Sequence, residues 1–300
     1  LPPRLQAGKP FEGWDLVGVR AESRQSMVYR VRDPLQQTWL MKTLPPALQN
    51  DDAARQALVL EEWFMRRVAG DFVPELHPLP QRRHLYYVMR EYPGQTLEEH
   101  KRQRGLLSIS ACRTLATQLL RAVGKLHQRN LIHCDIKPDN LLLGDDERLR
   151  LLDFGLCYCP GLSNASRVSA AGTPSYMAPE QAAGHNSEIS PQSDVYSLGA
   201  ILYEMLTGRP PFKQKSALDT LMEVLEGEPT LPSKLNRSIS SELELICLKC
   251  LEKDPAKRYT SAAALAEDLD RFLKREPISA RPSRIFQKLR RWSRREPALV

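Results

Sequence analysis

Long apolar runs are missing from this 300-residue chain. No stretch approaches the roughly 18 uninterrupted apolar residues that a membrane span needs, so these residues are expected not to cross a bilayer. Nor does the opening of the sequence read as a secretory signal peptide, and none is expected. Residues 1–10 (LPPRLQAGKP) carry three prolines and a glycine and read as the end of a linker. The chain starts at Leu1, and we read it as a piece of a longer polypeptide. Cysteine is sparse: the six residues at 112, 134, 157, 159, 247 and 250 lack the framework of a small secreted scaffold and read as reduced thiols. No segment repeats at a fixed period.

What is present is ordinary globular material. Apolar residues make up 42% and charged residues 26%, enough for a substantial core and incompatible with a disordered chain. The net charge of +7 is local: residues 271–300 hold ten Lys/Arg against two Glu, so the remainder of the chain sums to −1. The bulk of the protein is therefore not built to hold nucleic acid. Cys247 and Cys250 form a CxxC, but no second pair or histidine follows as a zinc site would require. They continue a helical pattern through Leu243, Ile246 and Leu251 and read as small buried hydrophobes.

Periodicity divides the chain in two. From Trp14 to Leu44, short Val-, Tyr- and Trp-containing segments alternate with polar turns and predict strands. Residues 51–69 switch period: Ala54, Leu58, Glu61, Met65 and Val68 recur at helical spacing behind Asp51 and Asp52. A glutamate on that apolar face needs an explanation. Residues 85–89 (LYYVM) predict a buried strand. Beyond Pro93-Gly94 helices dominate: Ile109, Cys112, Leu115, Leu119, Val123 and Leu126 form a stripe behind Ser108, and residues 194–207 and 261–273 predict two more. Ser241 and Glu244 suggest a capping box. Residues 141–143 and 149–152 flank Gly144-Asp145-Asp146-Glu147 as a hairpin.

The chemistry-bearing residues fall between these elements, in the order His133-Cys134-Asp135-Ile136-Lys137-Pro138-Asp139-Asn140, Asp153-Phe154-Gly155 and Ala178-Pro179-Glu180. Over about residues 11 to 275 the chain resembles the protein kinase family, in its serine/threonine branch, and residues 194–212 and 250–259 resemble bacterial members. The resemblance implies an α+β, bilobal fold with a small β-rich lobe (about 11–89) and a larger helical lobe (about 93–277), followed by a basic tail (278–300). It implies ATP and Mg²⁺ as cofactors and protein hydroxyls as substrates. Asp135 would be the catalytic base, Lys137 would face the γ-phosphate, and Asn140 and Asp153 would hold the metal through hard oxygen donors. Thr173 would hydrogen-bond Asp135 and Lys137. Met89 takes the gatekeeper position, backbone groups of Arg90 and Tyr92 would meet adenine, and Val28, Leu40 and Leu142 would line its pocket. His133, Glu180, Asp194 and Arg258 match architectural positions. Lys42 ends the strand Trp39-Leu40-Met41-Lys42 and should pair with an acid of the next helix. Glu61 and Glu62 compete for it, about 100° apart on the helix, and only Glu61 shares the apolar face. The competing reading is a solvated glutamate at the helix edge.

Two departures stand out. Ala21, Ser23 and Ser26 occupy the places of three glycines in the phosphate-covering loop, and Leu40 stands where alanine is usual. Cys134 replaces the arginine that grips an activation-loop phosphate, so the loop 156–171, with Ser163, Ser166 and Ser169, is expected not to require phosphorylation. A pseudokinase scaffold with weak or no turnover is the alternative to an active enzyme. In the tail, Ile285, Leu289 and Trp292 at helical spacing among Arg281, Arg284, Lys288, Arg290, Arg291, Arg294 and Arg295 suggest an amphipathic basic helix suited to an anionic leaflet. A solvated tail is the equal alternative. The expected setting is cytoplasmic, with a membrane tether beyond residue 300 and further domains in the same polypeptide.

Overall fold

The computed structural model describes residues 5–79, 81–105, 109–162 and 173–281. The chain divides into two compact units, one of residues 1–96 with 141–157 and one of residues 97–140 with 158–300.

The first unit is built on a five-stranded antiparallel meander: β1 (Pro10–Phe11), β2 (Trp14–Glu22), β3 (Met27–Arg32), β4 (Thr38–Thr43) and β5 (Tyr86–Arg90). Strand alternation sorts its side chains by face. Met27, Tyr29, Val31, Trp39, Met41, Tyr86 and Val88 join Trp14 and Leu16 in one core. The intervening residues face the other way. Val28 lies opposite Lys42, Leu40 opposite Met89, and Lys42 opposite Tyr87, so these five side chains share one face of the sheet.

Helix α1 (Asp52–Arg67) connects β4 to β5. Asp51 caps it by accepting from Ala54 N at 2.8 Å, and Arg66 and Arg67 close it at the dipole's negative end. Its buried residues include Leu58, Glu61, Phe64 and Met65. A second sheet of β6 (Gly94–Thr96), β7 (Leu141–Gly144) and β8 (Leu149–Leu151) completes the unit. Gly94 is required there: its φ is +145°, and a Cβ would run into Leu143 O.

The sequence reading assigned everything from about residue 93 to the second lobe. In the structure, residues 141–157 belong to the first unit. The hairpin pairs with β6, Asp145 N donates to Pro93 O at 3.1 Å, and Leu151 N donates to Phe72 O at 2.8 Å. Backbone pairing with residues near 94 outweighs neighbourhood in sequence.

The second unit is helical: α2 (Leu97–Arg104), α3 (Ile109–Gln128), α4 (Pro179–Ala182), α5 (Pro191–Thr207), α6 (Ala217–Glu226), α7 (Pro232–Leu235), α8 (Ser241–Cys250) and α9 (Ala262–Lys274). Helix α5 is the central one, with Val195, Tyr196, Ala200 and Tyr203 fully buried. Cys247 and Cys250 are buried on α8, and a Cβ at Gly199 of α5 would collide with Cys250 Cβ. The pair thus marks a close helix–helix approach, with Cys247 Sγ 3.7 Å from Gly199 O. The cap of α8 is Ser240, which accepts from Leu243 N at 3.3 Å, and not Ser241 as the sequence suggested. Glu244, the supposed reciprocal cap, accepts from Ser233 N at 2.7 Å and ties α8 to α7. Asp268 of α9 accepts from Ser279 N and Ala280 N, at 2.6 and 2.9 Å, and anchors the chain that follows the helix. Among the described residues no helix is long and apolar enough to cross a membrane. Ser108, the loop serines 163, 166 and 169, and tail residues 282–300 lie outside the described residues.

Candidate active site

In the first unit, Lys42 at the end of β4 meets the acid on the apolar face of α1. Lys42 Nζ donates to Glu61 Oε1 at 2.6 Å and to Asp153 Oδ1 at 3.1 Å. Glu61 and not Glu62 is the partner, as helical phase requires. Glu62 instead accepts from Arg66 at 2.9 Å and from Arg82 at 2.7 Å. Glu61 Oε1 also takes the N–H of Phe154 at 3.2 Å, and Asp153 Oδ1 takes that of Gly155 at 3.2 Å. The lysine and Glu61 side chains are 9% and 4% exposed, whereas Asp153 keeps 49% of its side chain open. Asp153 adopts a left-handed φ of 58°.

One lysine therefore faces two carboxylates. Burial disfavours the Lys42 ammonium, but Glu61, Tyr87 and Asp153 outweigh it and hold its pKa well above the lysine range. Burial likewise works against the Asp153 carboxylate, and Lys42 overcomes it, leaving that carboxyl well below its usual range. Burial pushes the Glu61 carboxyl up, reinforced by Asp153 and opposed by Lys42. The sequence reading missed Tyr87, fully buried opposite Lys42, whose phenol is pushed well up by burial and by the charge of Glu61. Its place in the strand-pairing register is the signal that could have found it.

In the second unit, a loop between α3 and β7 carries Asp135. Asp135 Oδ2 accepts from Lys137 Nζ at 2.8 Å and from Asn140 Nδ2 at 2.9 Å. Asn140 Nδ2 also donates to the backbone oxygen of Asp135 at 2.9 Å. Pro138–Asn140 form a single 3₁₀ turn that brings the amide back over Asp135. The loop is held from below by Asp194, fully buried near the start of α5. Its carboxylate takes His133 N, Cys134 N and His127 Nε2, each at 2.9 Å. Cys134 sits at φ 63°, the left-handed turn that aims both amides at one carboxylate. The residue is buried, and burial pushes the thiol pKa well up. Sequence reasoning missed His127 and Gln181, whose Nε2 holds Cys134 O at 2.9 Å. Both sit next to recognised positions, at the end of the α3 stripe and after Glu180.

Further architectural expectations are met. Arg258 grips Glu180 with two 2.8 Å hydrogen bonds, and His133 is fully buried. Thr173 differs: no hydrogen bond joins its hydroxyl to Asp135 or Lys137 among the described residues. Pro174 keeps Thr173 extended (φ −93°, ψ 113°), and its carbonyl accepts from Tyr176 N. The neighbouring Tyr176 is the fixed residue, donating to Glu204 Oε2 at 2.6 Å, with Lys101 Nζ on Glu204 Oε1 at 2.6 Å. Of the positions expected to face adenine, Val28, Leu40 and Met89 lie on the sheet face of Lys42, and Leu142 is in register with Thr96 and Arg150. The N–H of Arg90 is already given to Glu75 O at 2.8 Å, so it is not a group adenine could use.

Each unit, taken by itself, offers a hard oxygen donor. Asn140 commits its amide nitrogen to Asp135, which leaves the carbonyl oxygen outside both bonds, and Asp153 is an ionised, half-open carboxylate. Among the described residues no cluster of three His, Cys, Asp or Glu side chains could hold a metal alone.

Residues 23–269 match the family described as protein kinase domain. The chain belongs to the protein kinase family. Within it, this kinase domain is 34% identical over 206 residues to the serine/threonine-protein kinase PknB of Mycobacterium tuberculosis, covering 68% of this chain and 32% of that protein. It is 34% identical over 198 residues to a probable serine/threonine-protein kinase of Streptomyces coelicolor, covering 65% and 29%. A probable serine/threonine-protein kinase of Clostridium acetobutylicum is 27% identical over 247 residues, covering 81% and 37%. The chain spans about a third of the length of these curated relatives. It is a kinase domain of the bacterial serine/threonine type.

Proposed function

We propose that this domain transfers the γ-phosphoryl group of ATP to serine and threonine hydroxyls of proteins. The observation that carries the reading is the Asp135–Lys137–Asn140 constellation on its Asp194-braced loop. In this reading Asp135 orients the substrate hydroxyl and takes its proton. Lys137 holds the Asp135 carboxylate in position and presents a positive charge to the γ-phosphate. Lys42, fixed by Glu61, meets the α- and β-phosphates. Asn140 and Asp153 would hold Mg²⁺, which neutralises phosphate charge when bound. The test is incorporation of radiolabel from ATP into a generic protein substrate, with Asp135→Asn as control. Removing the base should lower the rate by about 10²-fold or more. Equal incorporation by both proteins, or none by either, would sink the reading.

The tail reading follows from charge. We infer that the basic segment from Arg281 onward binds anionic bilayers on the cytoplasmic side. Seven Lys/Arg between 281 and 300, with Trp292 among them, support it. The chain is expected to float with liposomes containing phosphatidylserine and not with neutral ones, and to lose flotation above about 0.5 M salt, where charges are screened within a few ångströms. Binding indifferent to lipid charge would refute it.

A further inference from the structure

The turn between β2 and β3 is where a phosphate-covering loop offers its backbone N–H groups, and Ala21, Ser23 and Ser26 stand there in place of glycines. Ser23 already occupies those groups. Its Oγ accepts from Ser26 N at 3.0 Å and from Gln25 N at 3.2 Å. Its own hydrogen has Ser26 O and Ser26 Oγ as acceptors, both at 3.3 Å. Ser23 N closes the same turn on Ser26 O at 2.9 Å. A hydroxyl has one hydrogen and two lone pairs, so Ser23 is saturated within its own turn. None of residues 21–26 has a positive φ. The turn is therefore held by a side chain, in backbone geometry that any residue can adopt.

A phosphate oxygen binds to such a turn by accepting from successive backbone amides, as the Ser23 hydroxyl oxygen does here. The two oxygens cannot both have Gln25 N and Ser26 N. We propose that Ser23 is an internal competitor for the phosphates of the nucleotide, a latch that ATP must displace before the loop can close over it. The proposal rests on the kinase reading above. It assigns this chain's departure from a glycine-rich loop a specific consequence: the penalty falls on phosphate-bearing ligands and spares adenosine. The bonds are solvent-exposed, so the effect is moderate, about fivefold in affinity.

The test compares the wild-type chain with Ser23→Ala and Ser23→Thr, measuring dissociation constants for ATP–Mg²⁺ and for adenosine by calorimetry, and KM and kcat for ATP. Alanine keeps the Cβ and removes only the hydroxyl. Ser23→Ala is expected to bind ATP about fivefold tighter with adenosine unchanged, lowering KM while kcat stays within about twofold. Ser23→Thr, which restores a hydroxyl, is expected to return ATP affinity to the wild-type value. ATP binding by Ser23→Ala that is equal to or weaker than wild type, or a gain shared equally by adenosine, would overturn the latch and leave the kinase reading standing. Failure of all three proteins to bind either ligand would overturn the kinase reading, and the latch with it.

Discussion

Replacing Arg258 with lysine is expected to cost the domain about 3–5 kcal/mol, because at least two buried acceptors lose their donor at about 1–3 kcal/mol each. The side chain is fully buried, and all five guanidinium N–H groups are used. Two go to Glu180 at 2.8 Å, and the others reach Glu252 O at 2.7 Å, Gln192 O at 2.9 Å and Lys253 O at 2.9 Å. Lysine keeps the charge but offers three donors from a single point, so it cannot span the carboxylate and three carbonyls together. Scanning calorimetry should show a fall in Tm of roughly 10 °C, at about 2–4 °C per kcal/mol for a domain of this size. A shift under about 2 °C would contradict the account. Because Ser193 and Gln192 at the start of α5 share this network, the loss should also loosen Asp194 and hence the catalytic loop. Replacing Glu180 and Arg258 together with leucine should recover only part of the stability, since the buried charges vanish as a pair but the carbonyls of Glu252, Gln192 and Lys253 lose their donor.

The Lys42–Glu61 pair should separate stability from activity. Lys42→Met leaves Glu61 buried among Tyr87 and Asp153 without its cation, and is expected to cost about 3 kcal/mol and to lower phosphoryl transfer by roughly 10²-fold or more. Adding Glu61→Leu removes the stranded carboxyl, so the double variant should regain most of the lost stability and none of the activity. Thermal denaturation and radiolabel incorporation on the same preparations check both halves. A Lys42→Met protein with near wild-type transfer would show that the lysine does not meet the phosphates. If Glu61→Leu instead lowered stability further on the Lys42→Met background, the stranded carboxyl would not be the source of the loss.

How much of this was legible before the structure depended on the kind of signal. Glu61 could be chosen over Glu62 because a helix face is set by sequence spacing alone, and the acid at an apolar position needed a partner. Asp135, Lys137 and Asn140 were legible because they lie within six residues, where a loop and one 3₁₀ turn suffice to bring them together. His127, Gln181 and Tyr87 were not, since their roles come from partners 67, 47 and 26 residues away or from a strand register. For Thr173 the motif conveys that the residue stands in the loop and not the extended backbone in which the following proline holds it. Ser240 and not Ser241 is the cap, and Glu244 accepts from Ser233 N, a pairing no local pattern contains.

By itself the sequence determined the periods: which strands alternate, which helix faces are apolar, and which short-range clusters of acid, base and amide the loops would carry. Only the tertiary structure decided which of those groups are satisfied. It joined the 141–157 hairpin to the first unit, locked Asp194 beneath two backbone amides, and turned the Ser23 hydroxyl onto the loop's own N–H groups. Periodicity is a property of neighbours along the chain, whereas a hydrogen bond is filled by whichever partner folding brings within about 3 Å.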